Sequence, residues 1–299
     1  MPVSCVCWHS SVTVSAVASS VVTRPLRVLY PGAVYHVVAR GNERQRIFRD
    51  ATDYRGFLNL LDVVVDRYAW LCHGYCLMGN HYHLLVETPL ANLPIGMRHL
   101  NGCHTRSFNR RWQRVGHLFQ GRYKAELVEK QSYLLELIRY IVLNPVRTEP
   151  PLCATPEAYP WSSYRSLLGR RPLPAWLTID WVLKQFGDDY DGARTRLKAF
   201  VAEGLEADRP RAVGGIYVGD VDFIREKTDG LEPIPEIPRP QWQPLRPTLV
   251  DIFASQDDPI AVAYRRYGYT LREIGTHIGC HYATVSRRLR RAEARAQTV

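Results

Sequence analysis

Two histidines one residue apart, His81 and His83 in the segment NHYHLL, can present their imidazoles on one face of a strand, because side chains two apart point the same way. Such a pair is half of a metal site. It is more often the mark of two packed or hydrogen-bonded rings, and two imidazoles rarely hold a divalent ion alone. Tyr140 and Asn144 in RYIVLN lie one turn apart on one helical face, with Tyr133 seven residues earlier on the same stripe. A phenol and an amide oxygen from that face can converge on the ion the histidines hold. The chemistry such a set permits is metal-assisted attack by a phenol, in which a bound cation neutralises charge on the group attacked and fixes geometry. The phenol, with an ordinary pKa of about 10, must be favoured as phenolate, and the aryl ester it forms retains the energy of the broken bond. Spacing alone leaves Tyr140 one of 17 tyrosines, most of which a protein uses as half-buried rings with a satisfied hydroxyl.

The elements that must hold these residues follow from pattern. Ala33 to Gly41 is β-branched and aromatic-rich and stops at Gly41-Asn42, which predicts a strand. Phe57, Leu58, Leu61, Val64 and Val65 recur at helical spacing over Asp50 to Tyr68, with Asp50 or Thr52 as N-cap. Trp70 to Met78 and His81 to Glu87 flank the Gly79-Asn80 turn as paired strands. Asn92 to Trp112 predicts a second helix, Tyr123 to Glu129 a fourth strand, and Tyr133 to Leu143 a third helix closed by Pro145. Strand, helix, strand, strand, helix, strand is the order of an α+β, ferredoxin-like fold, an antiparallel four-stranded sheet with helices on one face.

HYHLL, preceded by CLMGN, and RYIVLNPVR resemble the paired signatures of HUH-type single-strand transposases, and more narrowly of the REP-associated tyrosine transposases. The likeness runs in order through YHVVARGNERQRIF, HYHLLVETP, GHLFQGRYKAELVE and RYIVLNPVR, then more faintly through YPWSSYRSLLG. It implies His81 and His83 as metal ligands, Tyr140 as nucleophile, and Asn144 completing the metal shell. It implies Mg²⁺ or Mn²⁺, a 5′-phosphotyrosine link with a released 3′-OH, and single-stranded or hairpin DNA, such as repeated palindromic elements, as partner. Imidazole softness alone favours zinc, manganese or nickel, which makes Mn²⁺ the more comfortable of the two. Tyr82 departs mildly from the bulky hydrophobe usual between the histidines.

Surfaces for a polyanion are also visible. Arg98, Arg106, Arg110, Arg111, Arg114, Arg122 and Lys124 fall within one stretch free of Asp and Glu, where Phe108, Trp112, Phe119 and Tyr123 can stack unpaired bases. Arg40, Arg44 and Arg46 flank the Gly41-Asn42 turn. The alternative in both places is a solvated basic face over core aromatics. In YTLREIGTHIGCHYATVSRRLRR, Leu271, Ile274 and Ile278, the Gly279-Cys280 turn, then Val285 and Leu289 predict a small all-α helix-turn-helix. Its second helix would offer His281, Tyr282, Thr284, Ser286 and Arg287 to duplex DNA, with Arg288, Arg290 and Arg291 adding phosphate attraction; an amphipathic hairpin with a basic face is the bland alternative.

The whole chain divides into a disordered or misassigned leader (1–24), a catalytic domain (25–150), its helical extension (151–230), an extended Pro-rich linker (231–250) and the helix-turn-helix (251–299). A formal charge of +10 and a pI near 9.4 favour polyanionic partners. Seven scattered cysteines without CxxC spacing exclude a zinc ribbon or disulfide scaffold and fit a reducing, cytoplasmic setting, nucleoid-associated in a bacterium, for a monomer or homodimer. No run approaches the ~20 apolar residues of a membrane helix. Two competing functions remain: a non-catalytic DNA-binding regulator that uses the basic face and the tail, and a metal hydrolase that releases free phosphate ends.

Overall fold

The computed structural model describes residues 26–231 and 237–296. The leader assigned to 1–24 and two prolines of the linker, Pro233 and Pro235, lie outside the described residues.

Strand β1 (Ala33–Arg40) is followed by helix α1 (Ala51–Tyr68), whose N-cap Asp50 accepts hydrogen bonds from the Thr52 and Asp53 amides. Helix α1 buries Phe57, Leu58, Leu61, Val64 and Val65, the stripe its periodicity predicts. Strands β2 (Leu71–Met78) and β3 (His81–Thr88) form a hairpin around Gly79-Asn80. Helix α2 (Leu93–Arg111), strand β4 (Lys124–Val128) and helix α3 (Lys130–Leu143) complete the unit. Strand order is β2-β3-β1-β4, every pair antiparallel, the ferredoxin-like arrangement.

Three features differ from the pattern-based expectation. Helix α3 starts a turn earlier, at Lys130, because polar Gln131 and Ser132 begin it before the apolar stripe does. It covers the sheet face opposite α1 and α2: Tyr82 points to Phe57 of α1, whereas its neighbour His83 faces Tyr140 of α3. The sheet also gains a fifth strand, β5 (Tyr217–Val218), parallel to β4, tied by Leu127 N–H to Ile216 O and Glu129 N–H to Val218 O, both 2.7 Å. Two residues are too few to leave a strand pattern.

Beyond α3 come α4 (Tyr164–Leu167), α5 (Asp180–Lys184), α6 (Tyr190–Glu203) and α7 (Val221–Thr228). The Tyr159–Ser163 loop is ordered because it partners the outer edge of β2: Leu77 N–H donates to Trp161 O at 2.8 Å and Ser163 N–H to Tyr75 O at 3.0 Å. A single apolar core runs from Ala33 to Ile224. The proline segment is less extended than expected, since it forms helix α8 (Arg239–Trp242) and Gln241 accepts from the Leu26 amide and, through its carbonyl, from the Tyr217 hydroxyl.

Helices α9 (Leu249–Ser255), α10 (Pro259–Ala261), α11 (Leu271–His277) and α12 (Tyr282–Ala296), with the π-helical segment Val262–Arg266 that follows α10, share a second small core of Ile252, Ala263, Ile274 and Val285. Both α9 and α11 begin with a capping box, Thr248 with Asp251 and Thr270 with Glu273. The turn between α11 and α12 passes through Gly279 at φ +67°. Gly275 is required there, because a Cβ would stand 2.6 Å from the Cys280 carbonyl oxygen.

Candidate active site

His81 and His83 lie on the α3 side of β3 with ring centroids 5.1 Å apart. Each is hydrogen-bonded through Nδ1, His81 to Asn80 Oδ1 at 2.6 Å and His83 to His36 Nε2 at 2.9 Å. Asn80 is itself fixed by the loop after β1: its Nδ2 donates to Arg44 O at 3.0 Å, and its carbonyl accepts from the Gly41 amide at 2.8 Å. Gly41 cannot carry a side chain, because a Cβ would meet the Gln45 carbonyl oxygen at 2.1 Å. The pair is therefore packed and hydrogen-bonded, yet His83 Nε2 is buried without any hydrogen-bond partner. A purely structural histidine at this depth would leave a polar atom unsatisfied, at a cost of roughly 1–3 kcal/mol.

Burial drives the pKa of His83 well below its ordinary value, with His36 and His81 adding to the effect. Burial, then the charge of Arg40, lowers His81 to about 4. Both rings are neutral at physiological pH, the form that binds a metal.

Tyr140 of α3 sets its ring edge-on to His83 at 5.7 Å and to His36 at 6.1 Å. Tyr133 makes no ring contact with either histidine. Asn144, the C-cap of α3, donates its amide nitrogen to the Tyr140 carbonyl at 2.8 Å, and no hydrogen bond joins it to His81 or His83. The Arg209 guanidinium lies 5.2 Å from the Tyr140 ring centroid and pairs with Glu126. Glu126 is buried opposite His36 and receives its Nδ1 at 2.9 Å. Burial raises the Glu126 carboxyl, but the bonds from His36, Arg209 and Lys124 outweigh it and bring the pKa down to about 2.

Among the described residues, no group of three or more His, Cys, Asp and Glu side chains is placed to hold a metal. Two neutral imidazoles and an unpartnered Nε2 nonetheless suit a divalent ion, with remaining positions left to Tyr140, Asn144, water or phosphate oxygens. His36, Glu126, Arg209 and Asn80 were not singled out from sequence. The alternation that selects His83 also puts His36 on the same face, but only the strand register joins them.

The predicted basic residues separate into groups. Arg98, Arg106 and Arg122 line a cleft of about 1080 Å³ beside α2, together with Arg27, Met97 and Phe119. Arg110 is exposed outside it. Arg111 is instead held by Asp50 and Asp53, which ties α2 to the start of α1, and Lys124 pairs with Glu126 at 2.9 Å. Phe108 belongs to the core and offers no face for a base, whereas Phe119 is largely buried but borders the cleft; Tyr123 is half-buried beneath Arg27, and Trp112 is flanked by Arg49 and Arg111. Arg40 ends β1 opposite His81, and Arg44 is exposed in the loop that holds Asn80. On α12, Arg287 and Tyr282, with His281 just before the helix, are exposed, and Thr284 and Ser286 are half-buried.

Residues 30–144 match the family model for IS200-like transposases. No curated protein matches the chain. Among solved structures, a REP-associated tyrosine transposase bound to a REP hairpin is 15% identical, with a TM-score of 0.43, covering 53% of this chain and 92% of that one. A candidate transposase from Deinococcus radiodurans R1 is 18% identical, with a TM-score of 0.30, covering 40% of this chain and 96% of that one. The segment similar to IS200-like transposases begins just before β1 and ends at Asn144.

Proposed function

We propose that this protein is a metal-dependent transposase that cuts and rejoins single-stranded DNA at hairpin sequences through a covalent link to Tyr140. One observation carries the proposal: Tyr140 stands edge-on at 5.7 Å to a histidine whose Nε2 is buried and unpartnered. The proposed nucleophile and the proposed metal half-site thus share one face of the sheet.

His81 and His83 would hold the ion, with Asn144 as a further ligand. A bound Mg²⁺ or Mn²⁺ would supply charge neutralisation at a non-bridging phosphate oxygen. Tyr140 Oη attacks phosphorus and gives up its proton, the P–O3′ bond breaks, and the departing oxygen takes a proton to become a 3′-OH. The 5′-phosphotyrosine keeps the bond energy, so a 3′-OH can reverse the step and join strands. Arg209, against the Tyr140 ring, adds positive charge where phenolate and phosphate meet. The cleft lined by Arg98, Arg106 and Arg122 is suited to phosphates, and Arg40 and Arg44 place charge beside His81. His281, Tyr282, Thr284, Ser286 and Arg287 form a second surface, suited to duplex DNA.

Labelled single-stranded hairpin DNA incubated with the full chain and Mn²⁺ tests the reading on a denaturing gel. A covalent protein–DNA band is expected with the wild type and with Tyr133→Phe, and none with Tyr140→Phe. An adduct from Tyr140→Phe would contradict the nucleophile assignment. Cleavage without any adduct would favour a hydrolase, and duplex binding with no cleavage of any substrate a regulator.

A further inference from the structure

His36 of β1 stands directly opposite Glu126 of β4 and diagonal to His83 of β3, so the register of three strands lines up a carboxylate and two imidazoles. His36 Nδ1 is 2.9 Å from Glu126 Oε2, and its Nε2 is 2.9 Å from His83 Nδ1. A neutral imidazole has one N–H and one lone pair, and an ionised carboxylate only accepts. Arg209 Nη2, a donor only, also lies 3.3 Å from His36 Nδ1, but the carboxylate is nearer at 2.9 Å and requires a proton on that nitrogen, which sets the direction of every bond in the line. His36 Nδ1–H donates to Glu126, His36 Nε2 accepts from His83 Nδ1–H, and His83 Nε2 is left as a lone pair. That atom is buried and has no hydrogen-bond partner.

We propose that Glu126 and His36 are positioning residues that lock His83 in the Nδ1–H tautomer, with its Nε2 lone pair turned to the metal position. The inference deepens, and rests on, the reading of His83 as a ligand. Arg209 and Lys124 both pair with Glu126 and hold it ionised, so the relay ends on an acceptor. Arg209 also touches the Tyr140 ring, which couples the far end of the relay to the nucleophile. His81 is oriented the same way by a shorter route, through Asn80. Partners behind metal-binding histidines typically contribute 10–100-fold in affinity.

Long-range ¹H–¹⁵N spectra of the metal-free full chain read the tautomers directly. The expected result is Nδ1–H on both His83 and His36; Nε2–H on His83 would overturn the proposal. Glu126→Gln, whose amide can donate as well as accept, should release the fixed tautomer of His36 and weaken Mn²⁺ binding, read by electron paramagnetic resonance, by about 10–100-fold. His36→Gln should weaken binding over the same range. Wild-type Mn²⁺ affinity in both variants would overturn the proposal. If either variant fails to fold, judged by circular dichroism, the wild-type spectrum still decides. A wild-type chain with the Nδ1–H tautomer but no Mn²⁺ binding would remove the metal reading and leave the relay standing.

Discussion

At the scale of single residues, His83 has an unused buried nitrogen, as His73 does at Nδ1, but only the His83 ring stands beside a second strand imidazole and Tyr140. His104 of α2 makes the contrast: its Nε2 donates to Ile47 O at 2.9 Å, and its ring packs among Phe48, Phe57, Phe108 and Phe119. Burial lowers its pKa from 6.5 to about 4, with the Ile47 carbonyl and the Asp53 charge opposing. The unfolded chain takes up this proton below about pH 6.5 and the folded chain does not. The stabilisation is therefore complete above that pH and is lost as pH falls toward 4. Urea unfolding should show the advantage of wild type over His104→Gln shrinking by about 3 kcal/mol between neutral pH and about pH 4. An unchanged difference would mean that His104 is not buried as a neutral ring. His81 and His83 could be paired in the sequence by their spacing, whereas Tyr140 was singled out among 17 tyrosines, and Asn144 with it, by the family resemblance. His36, Glu126 and Arg209 were not, since Arg209 reaches His36 across 173 residues and no periodicity encodes that approach.

At the scale of elements, strands and helices with long stripes were legible to within a few residues, as α1 shows. The side of the sheet that α3 occupies was not, because an apolar stripe states that a helix is buried and not against which face. Close approach of α2 to the sheet depends on Gly96, where a Cβ would fall 2.2 Å from the Trp70 ring. That indole is pinned by Nε1–H donating to Asn92 Oδ1 at 2.7 Å, so it cannot swing aside. Gly96→Ala gains about 1 kcal/mol of helix propensity, but overpacking a rigid ring costs about 1–3 kcal/mol. A net loss of stability is expected in thermal melts, and a stabilised Gly96→Ala would show that α2 lies farther from Trp70. The β5 strand, two residues long, and the edge-pairing Tyr159–Ser163 loop illustrate a different limit: hydrogen bonding made by backbone leaves little trace in side-chain pattern.

At the scale of the whole molecule, two cores divide the labour. The larger spans the segment that matches IS200-like transposases and continues through α7, and the smaller holds α9 to α12. Among the described residues, no helix is long and apolar enough to cross a membrane. Gly275→Ala drives a Cβ into the Cys280 carbonyl, so it should disrupt the small core alone. Duplex binding by the full chain should weaken while adduct formation on hairpin DNA persists. Loss of both together would show that the two units act as one. The central claim, that Tyr140 is the nucleophile, is tested most directly by mapping the attachment point. The full chain is reacted with hairpin DNA and Mn²⁺, the DNA trimmed by nuclease, and the peptides sequenced by mass spectrometry. A phosphonucleotide on Tyr140 is the predicted result, and one on Tyr133 or any other residue would contradict it.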